Sequence, residues 1–235
     1  MLVKGVKPSD VKAAPKKRST PRRPAARKVA PAPADDTTRG KILATALRVF
    51  AERGFDGART RDIAEEAGAN LGLITYYFSN KETLWREAVT HAFAELQHEI
   101  VAATSTVAAG DERQQLEHLA RSFVRFVAHK PEFMRLMNDE GKRDSPRMRW
   151  LADRFVTPMH QALRQLIERG QARGLLPKVP PASLHYIMLG AAGLVFSQAP
   201  ECRRIMGVDA TDPAFAEAHA DAVILMLTGD ASRGR

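Results

Sequence analysis

TRDIAEEAGANLGLITYYFSNK, residues Thr60 to Lys81, reads as two short helices joined at a glycine turn. Thr60 is placed to cap the first helix, its hydroxyl accepting from an amide of the first turn. Ile63, Ala64 and Ala67 give that helix a small apolar face, and it is expected to stop at Gly68, where a left-handed backbone costs least. Asn70 restarts the chain. Leu71 to Phe78 is then a second short helix, without charged side chains and aromatic at its end, and Ser79 or Asn80 caps a third beginning with Lys81 and Glu82. The pattern predicts a helix-turn-helix. Its second helix has the length to lie in a major groove while the first crosses the phosphates.

Working outward, a helix is expected from about Asp36–Thr38, with acids at its positive end. Ile42, Leu43, Ala46, Leu47 and Phe50 form one stripe on it, Gly54 ends it, and Phe55 should lock the corner that follows. On the other side a long helix runs from Lys81 to about Ala103. Its apolar rows are Leu84, Ala88, Ala92 and Leu96, and Trp85, Val89, Phe93 and Ile100, a stripe wide enough to need neighbours on two sides.

From Arg39 to Trp85 these landmarks resemble the TetR-type transcriptional regulators in order and spacing: the opening helix KILATALRVFAERGFDGARTRDIAEEAG, the turn, Tyr76-Tyr77-Phe78 and Asn80-Lys81-Glu82. The chain departs from that family at Thr75, where a tyrosine is usual, and at Leu71 and Gly72, where polar or charged residues are common. Carried over residue by residue, the resemblance implies that Tyr76, Tyr77 and Lys81 touch phosphate or sugar. It places Thr60, with Arg61 beside it, on the backbone from the preceding helix, and it turns Asn70, Leu71, Gly72 and Thr75 towards the bases. Asn pairs with adenine, and Leu71 or the Thr75 methyl suits a thymine methyl. Inward packing is the competing reading for the aromatic run, and it is the one adopted for Phe78.

The formal charge of +9 is unevenly placed. Ten Lys or Arg fall in residues 1–34 against Asp10 alone, leaving 26 basic and 26 acidic side chains in the rest. With six prolines and no aromatic residue, 1–34 is expected to be a disordered basic arm, either gripping DNA through counterion release or idle as a solvated tail. Residues 35–82 are the expected DNA-binding domain, 83–228 a helical body, and 229–235 a second disordered tail. A single cysteine, Cys202, excludes an internal disulfide and fits a reducing cytoplasm. No apolar run approaches the roughly 18 residues needed to span a bilayer, so no membrane partner is expected.

Beyond Thr104 an all-α chain continues, with Pro131, Pro146, Pro181 and Pro213 suited to first helical positions. Helices are expected near 112–129, 131–141, 146–173, 181–199 and 213–228. Pro158 falls inside the third of these and predicts a kink, since it frees the carbonyl of Arg154. The resemblance implies a ligand pocket in this body, for which Phe123, Phe126, Met134, Met137, Met148, Phe155, Met159 and His160 are candidates, though for any one of them ordinary core is the better reading. It also implies a homodimer through the last two helices. Leu184, Ile187, Met188, Ala191 and Leu194, with Ala218, Ala222 and Leu225, would form one patch that meets its copy across a twofold axis in a four-helix bundle.

No G-x-S-x-G, Walker loop or G-x-G-x-x-G is present, so no catalytic residue and no cofactor is assigned. Glu95-x-x-His98, with His91 one turn earlier, lacks the second motif that a di-iron bundle requires, and no metal is assigned either. The reading is an all-helical, dimeric repressor that binds a palindromic operator and is released by a small apolar or amphipathic effector. Its rival is an architectural DNA-binding protein that depends on the basic arm.

Overall fold

The first helix, α1 (Asp36–Gly57), is apolar on two sides, and both are covered. The long helix α4 (Lys81–Thr104) lies against one side and α6 (Pro131–Glu140) against the other. Between α1 and α4 the chain forms the short helices α2 (Thr60–Glu66) and α3 (Leu71–Phe78). The computed structural model describes residues 36–105, 107–108 and 111–229. The expectations for the arm, 1–34, and for the tail beyond Gly229 lie outside the described residues.

Gly54 interrupts α1 with φ 69° and ψ 170°, a backbone that glycine alone adopts readily. The sequence placed the end of the helix here. The structure instead resumes one helical turn after the break, and Ala58 N donates to Gly54 O at 3.2 Å. That reversal drives Phe55 back onto the helix. Its ring stacks on Phe50 with centroids 5.8 Å apart and meets Trp85 edge-on at 6.5 Å.

The body follows the proline-marked starts. α5 (Glu112–His129), α6, α7 (Pro146–Leu151), α9 (Pro181–Ser197) and α11 (Pro213–Thr228) open where expected, and all but α5 carry Pro in the first turn. Two features differ from the expectation. The helix expected over 146–173 contains a π-helical turn, Ala152–Val156, between α7 and α8 (Thr157–Ala172). Thr157 N donates to Ala152 O, five residues back, so the widened turn absorbs the loss of Pro158's amide. Secondly, the helix expected over 181–199 stops at Ser197, and a separate α10 (Ala199–Met206) leaves at 76°. Pro200 in its first turn and left-handed Gly207 at its end were signals of this helix.

Leu43, Leu47 and Phe50 of α1, Phe78 of α3, Trp85 and Phe93 of α4, Phe126 of α5 and Phe133 and Leu136 of α6 belong to one buried cluster. The boundary placed between residues 82 and 83 therefore falls within α4 beside a core that continues across it. A second cluster, Leu116, Ile167, Leu176, Leu184, Val223 and Leu227, ties α5, α8, α9 and α11 at the far end. Glu95 of the Glu95-x-x-His98 motif is held by Lys130 and lies 3.7 Å from His91.

Because a side chain is strained at the Gly54 dihedrals, Gly54→Ala is expected to lower the unfolding free energy by about 1–3 kcal/mol, read from denaturant titration.

Candidate nucleic-acid interface

The turn between α2 and α3 is closed by two backbone bonds, Ala69 N to Ala64 O at 2.8 Å and Gly68 N to Glu65 O at 3.1 Å. With Gly68 at φ 66°, this is the glycine C-cap expected from the sequence. The N-terminus of α2 differs. Arg59 occupies the cap position without a side-chain cap bond, and Thr60 stands one residue inside the helix. Its hydroxyl is therefore not the cap; Thr60 lines a groove instead.

Asn70 caps α3, its Oδ1 accepting from Leu73 N at 2.9 Å. One atom of the amide expected to pair with a base is thus engaged in holding the helix, while the side chain as a whole is exposed. Leu71, Gly72, Thr75 and Tyr76 are exposed on the same short helix, and Ile74 and Phe78 are buried beneath them. The Thr75 hydroxyl donates to Leu71 O at 3.1 Å, leaving its methyl as an outward group.

The two tyrosines part company. Tyr76 is 67% exposed, whereas Tyr77 is half-buried against the core with its hydroxyl covered and without a hydrogen-bond partner among the described residues. Adjacent helix positions point about 100° apart, which is enough to send one ring outwards and the other inwards. For Tyr77 the inward reading fits this surface, and the expectation of a phosphate contact is corrected accordingly. Phe78 is fully buried, as expected.

A γ-turn at Ser79, φ 60° and ψ −47°, carries the chain into α4, with Asn80 N donating to Phe78 O. Asn80, not Ser79, is the cap, its Oδ1 accepting from Thr83 N at 2.8 Å. Lys81 follows. Its Nζ donates to Ala58 O at 3.0 Å and sits 4.5 Å from the centre of the Phe55 ring. Asp56, Arg59, Thr60, Thr75 and Lys81 together line an open groove of about 360 Å³ beside the exposed face of α3.

The charges around this groove are sorted by pairing. Of the three carboxylates on α2, Asp62 and Glu66 are held by Arg53 of α1 at 2.8 and 2.7 Å, and Glu66 also by Arg48 at 2.6 Å. The Arg48 guanidinium keeps the Glu66 carboxyl below the usual carboxylate range. That contribution is present at neutral pH and fades as acid protonates the group. Arg59 and Arg61, by contrast, are exposed at the start of α2. Arg59 was not singled out from the sequence, where only its adjacency to Thr60 marked it.

The body residues are placed as follows. Phe126 and Met134 are buried, and Phe123, Met137 and Phe155 are partly buried against the same core. Phe93 links two of them, meeting Phe133 edge-on beside Phe126 and stacking on Phe155 at 4.3 Å. Met148 is half-buried at the start of α7, Met159 is exposed, and His160 lies beside His185, 4.8 Å between ring centres. These residues are thus not gathered around one site. Of the expected dimer residues, Leu184 points inward to the second cluster and Met188 packs against it. Ile187, Ala191, Leu194, Ala218, Ala222 and Leu225 are exposed, joined by Met226 at 84% and by Tyr186, the latter not marked by the sequence.

An all-α head with a solvent-facing recognition helix, sharing its core with a helical body, defines a helix-turn-helix DNA-binding architecture. The family described as bacterial regulatory proteins, tetR family, matches residues 42–88, and a tetracyclin repressor-like C-terminal domain matches residues 113–227. The chain is 32% identical over 146 residues to the transcriptional repressor NicS of Pseudomonas putida, covering 60% of this chain and 66% of that one. It is 30% identical over 148 residues to the repressor AcnR of Corynebacterium diphtheriae, covering 63% and 73%. The ketosteroid transcriptional regulator KstR2 of Mycobacterium tuberculosis shares the fold, with TM-score 0.63 at 19% identity over 83% of this chain and 97% of that one. This chain belongs to the TetR family. It spans about half to two thirds of the length of several curated relatives.

Since the Tyr77 hydroxyl has no partner among the described residues, Tyr77→Phe is expected to leave stability unchanged or raise it by up to about 1 kcal/mol, with DNA affinity retained. Asn70→Ala should cost about 1 kcal/mol through the lost cap, and Asn70→Asp should keep the cap. Thermal melts and DNA titrations of the three variants check these outcomes.

Proposed function

We propose that this chain is a dimeric, sequence-specific transcriptional regulator of the repressor type, binding a palindromic operator and released by a small apolar or amphipathic effector. The observation that carries the DNA-binding part is the outward face of α3. Asn70, Leu71, Gly72, Thr75 and Tyr76 are all exposed there, next to a groove lined by Arg59, Thr60 and Lys81. In this reading Thr60, Arg61, Tyr76 and Lys81 hold phosphates, and Asn70, Leu71, Gly72 and Thr75 face bases. Phosphate contacts set position and affinity; base contacts set sequence. The relatives NicS and AcnR are described as repressors, which supports the same direction of control.

The dimer part of the proposal rests on the unpaired apolar surface of α9 and α11. Ile187, Ala191, Leu194, Ala218, Leu225 and Met226 lie exposed there, on two helices that pack against each other. A twofold pairing would cover this patch and hold two recognition helices about 34–36 Å apart, one turn of DNA. An effector would enter near the Phe93–Phe155 stack, where Phe155 is only half-buried. If it favours a different spacing of the heads, it lowers DNA affinity, and DNA lowers effector affinity by the same factor. A cytoplasmic location follows from a chromosomal target.

Selection of bound sites from random duplex DNA at two salt concentrations tests this reading. Expected are a palindrome with half-sites about one turn apart and, by light scattering, a dimer. Lys81→Ala and Tyr76→Ala should weaken binding to every sequence, while Asn70→Ala relaxes base preference. Deleting residues 1–34 should keep the footprint and flatten the salt dependence. Loss of nearly all binding on that deletion would favour the architectural alternative.

A further inference from the structure

One aromatic ring carries two cations from different parts of the chain. Lys81 Nζ lies 4.5 Å from the centre of Phe55, and Cζ of Arg147, at the start of α7, lies 4.0 Å from the same centre. The ring is itself fixed, by the Gly54 break behind it and by Phe50 and Trp85 around it. Arg147 is fixed as well. Its Nε donates to Glu140 Oε1 at 2.9 Å, in a pair whose side chains are only 22% and 10% exposed, and its guanidinium reaches over Trp85 at 5.9 Å. Arg147 does not line the groove that Lys81 lines.

We propose that Arg147 is a positioning residue for DNA binding: through Phe55 it holds the Lys81 ammonium at the groove. This rests on the reading above that Lys81 meets a phosphate. A guanidinium and an ammonium are both attracted to the ring's electron-rich face, so the ring is the shared seat of the two charges. Removing Arg147 frees one side of that seat. The Lys81 stem, with several rotatable bonds, then spreads over other rotamers, and in most complexes the ammonium no longer meets the phosphate. Lys81 keeps its charge throughout, so any loss of affinity passes through position.

The test is a double-mutant cycle read by anisotropy on a fluorescein-labelled duplex recovered by the selection described above. Arg147→Met is combined with Glu140→Gln so that no carboxylate is left unpaired in a covered site. This pair is expected to weaken binding about 3- to 10-fold. It should also reduce the slope of log affinity against log salt by about 0.9, the share of one phosphate contact. In a Lys81→Met background the same pair should change neither quantity. Arg147→Lys, which keeps the charge but not the planar face, should show the same pattern at smaller size and serves if the pair fails to fold. Equal losses with and without Lys81, or an unchanged salt slope, would overturn the positioning role alone. If Lys81→Met binds the duplex as the parent does, the phosphate reading falls and this proposal falls with it.

Discussion

The burial of α1 on two sides is the constraint on which the rest of the structure depends. A helix with Leu43, Leu47 and Phe50 covered by α4 and α6 cannot belong to a free-standing head. Its apolar surface is too wide for α2 and α3 to cover, and the body supplies the missing wall. The polar contacts follow the same seam: Arg39 pairs with Glu87 of α4, and Arg147 brings α7 to the corner made by Phe55. Rigid packing of this kind transmits displacement, since a close-packed interior has little room to absorb it.

Within that frame the reading face is thin. α3 has eight residues, of which Ile74 and Phe78 anchor it from below while Asn70 closes its start. What remains outward is small or apolar for the most part. In the proposed reading, such a face favours shape and methyl contacts over a dense set of hydrogen bonds, with the surrounding cations supplying affinity. The acids on α2 do not oppose a polyanion strongly, because Arg48 and Arg53 hold two of them.

Much of this was legible in the residues. Gly68, Asn70, Asn80 and the four helix-opening prolines act through local backbone chemistry, so their positions fix helix ends without knowledge of the fold. The stripe from Ile42 to Phe50 was equally plain, since burial leaves a 3.6-residue period. Three things were not. Tyr76 and Tyr77 are chemically identical, and only the rotation of α3 on its support decides which is outside. Arg147 and Phe55 lie 92 positions apart, and no period links a guanidinium to a distant ring. The body's Phe and Met residues have the same composition whether they close a core or wall a chamber, and here Met134 packs into the space left by Gly193.

The continuous core also bears on how such a chain can be recombined. A head that ended at Thr104 would take α1 away from α6 and leave an apolar strip facing water. Joining this head to an unrelated helical body would therefore require that body to offer a matching ridge where Phe133 and Leu136 now stand. The portable unit is then larger than the helix-turn-helix: it includes the piece of the body that α1 leans on.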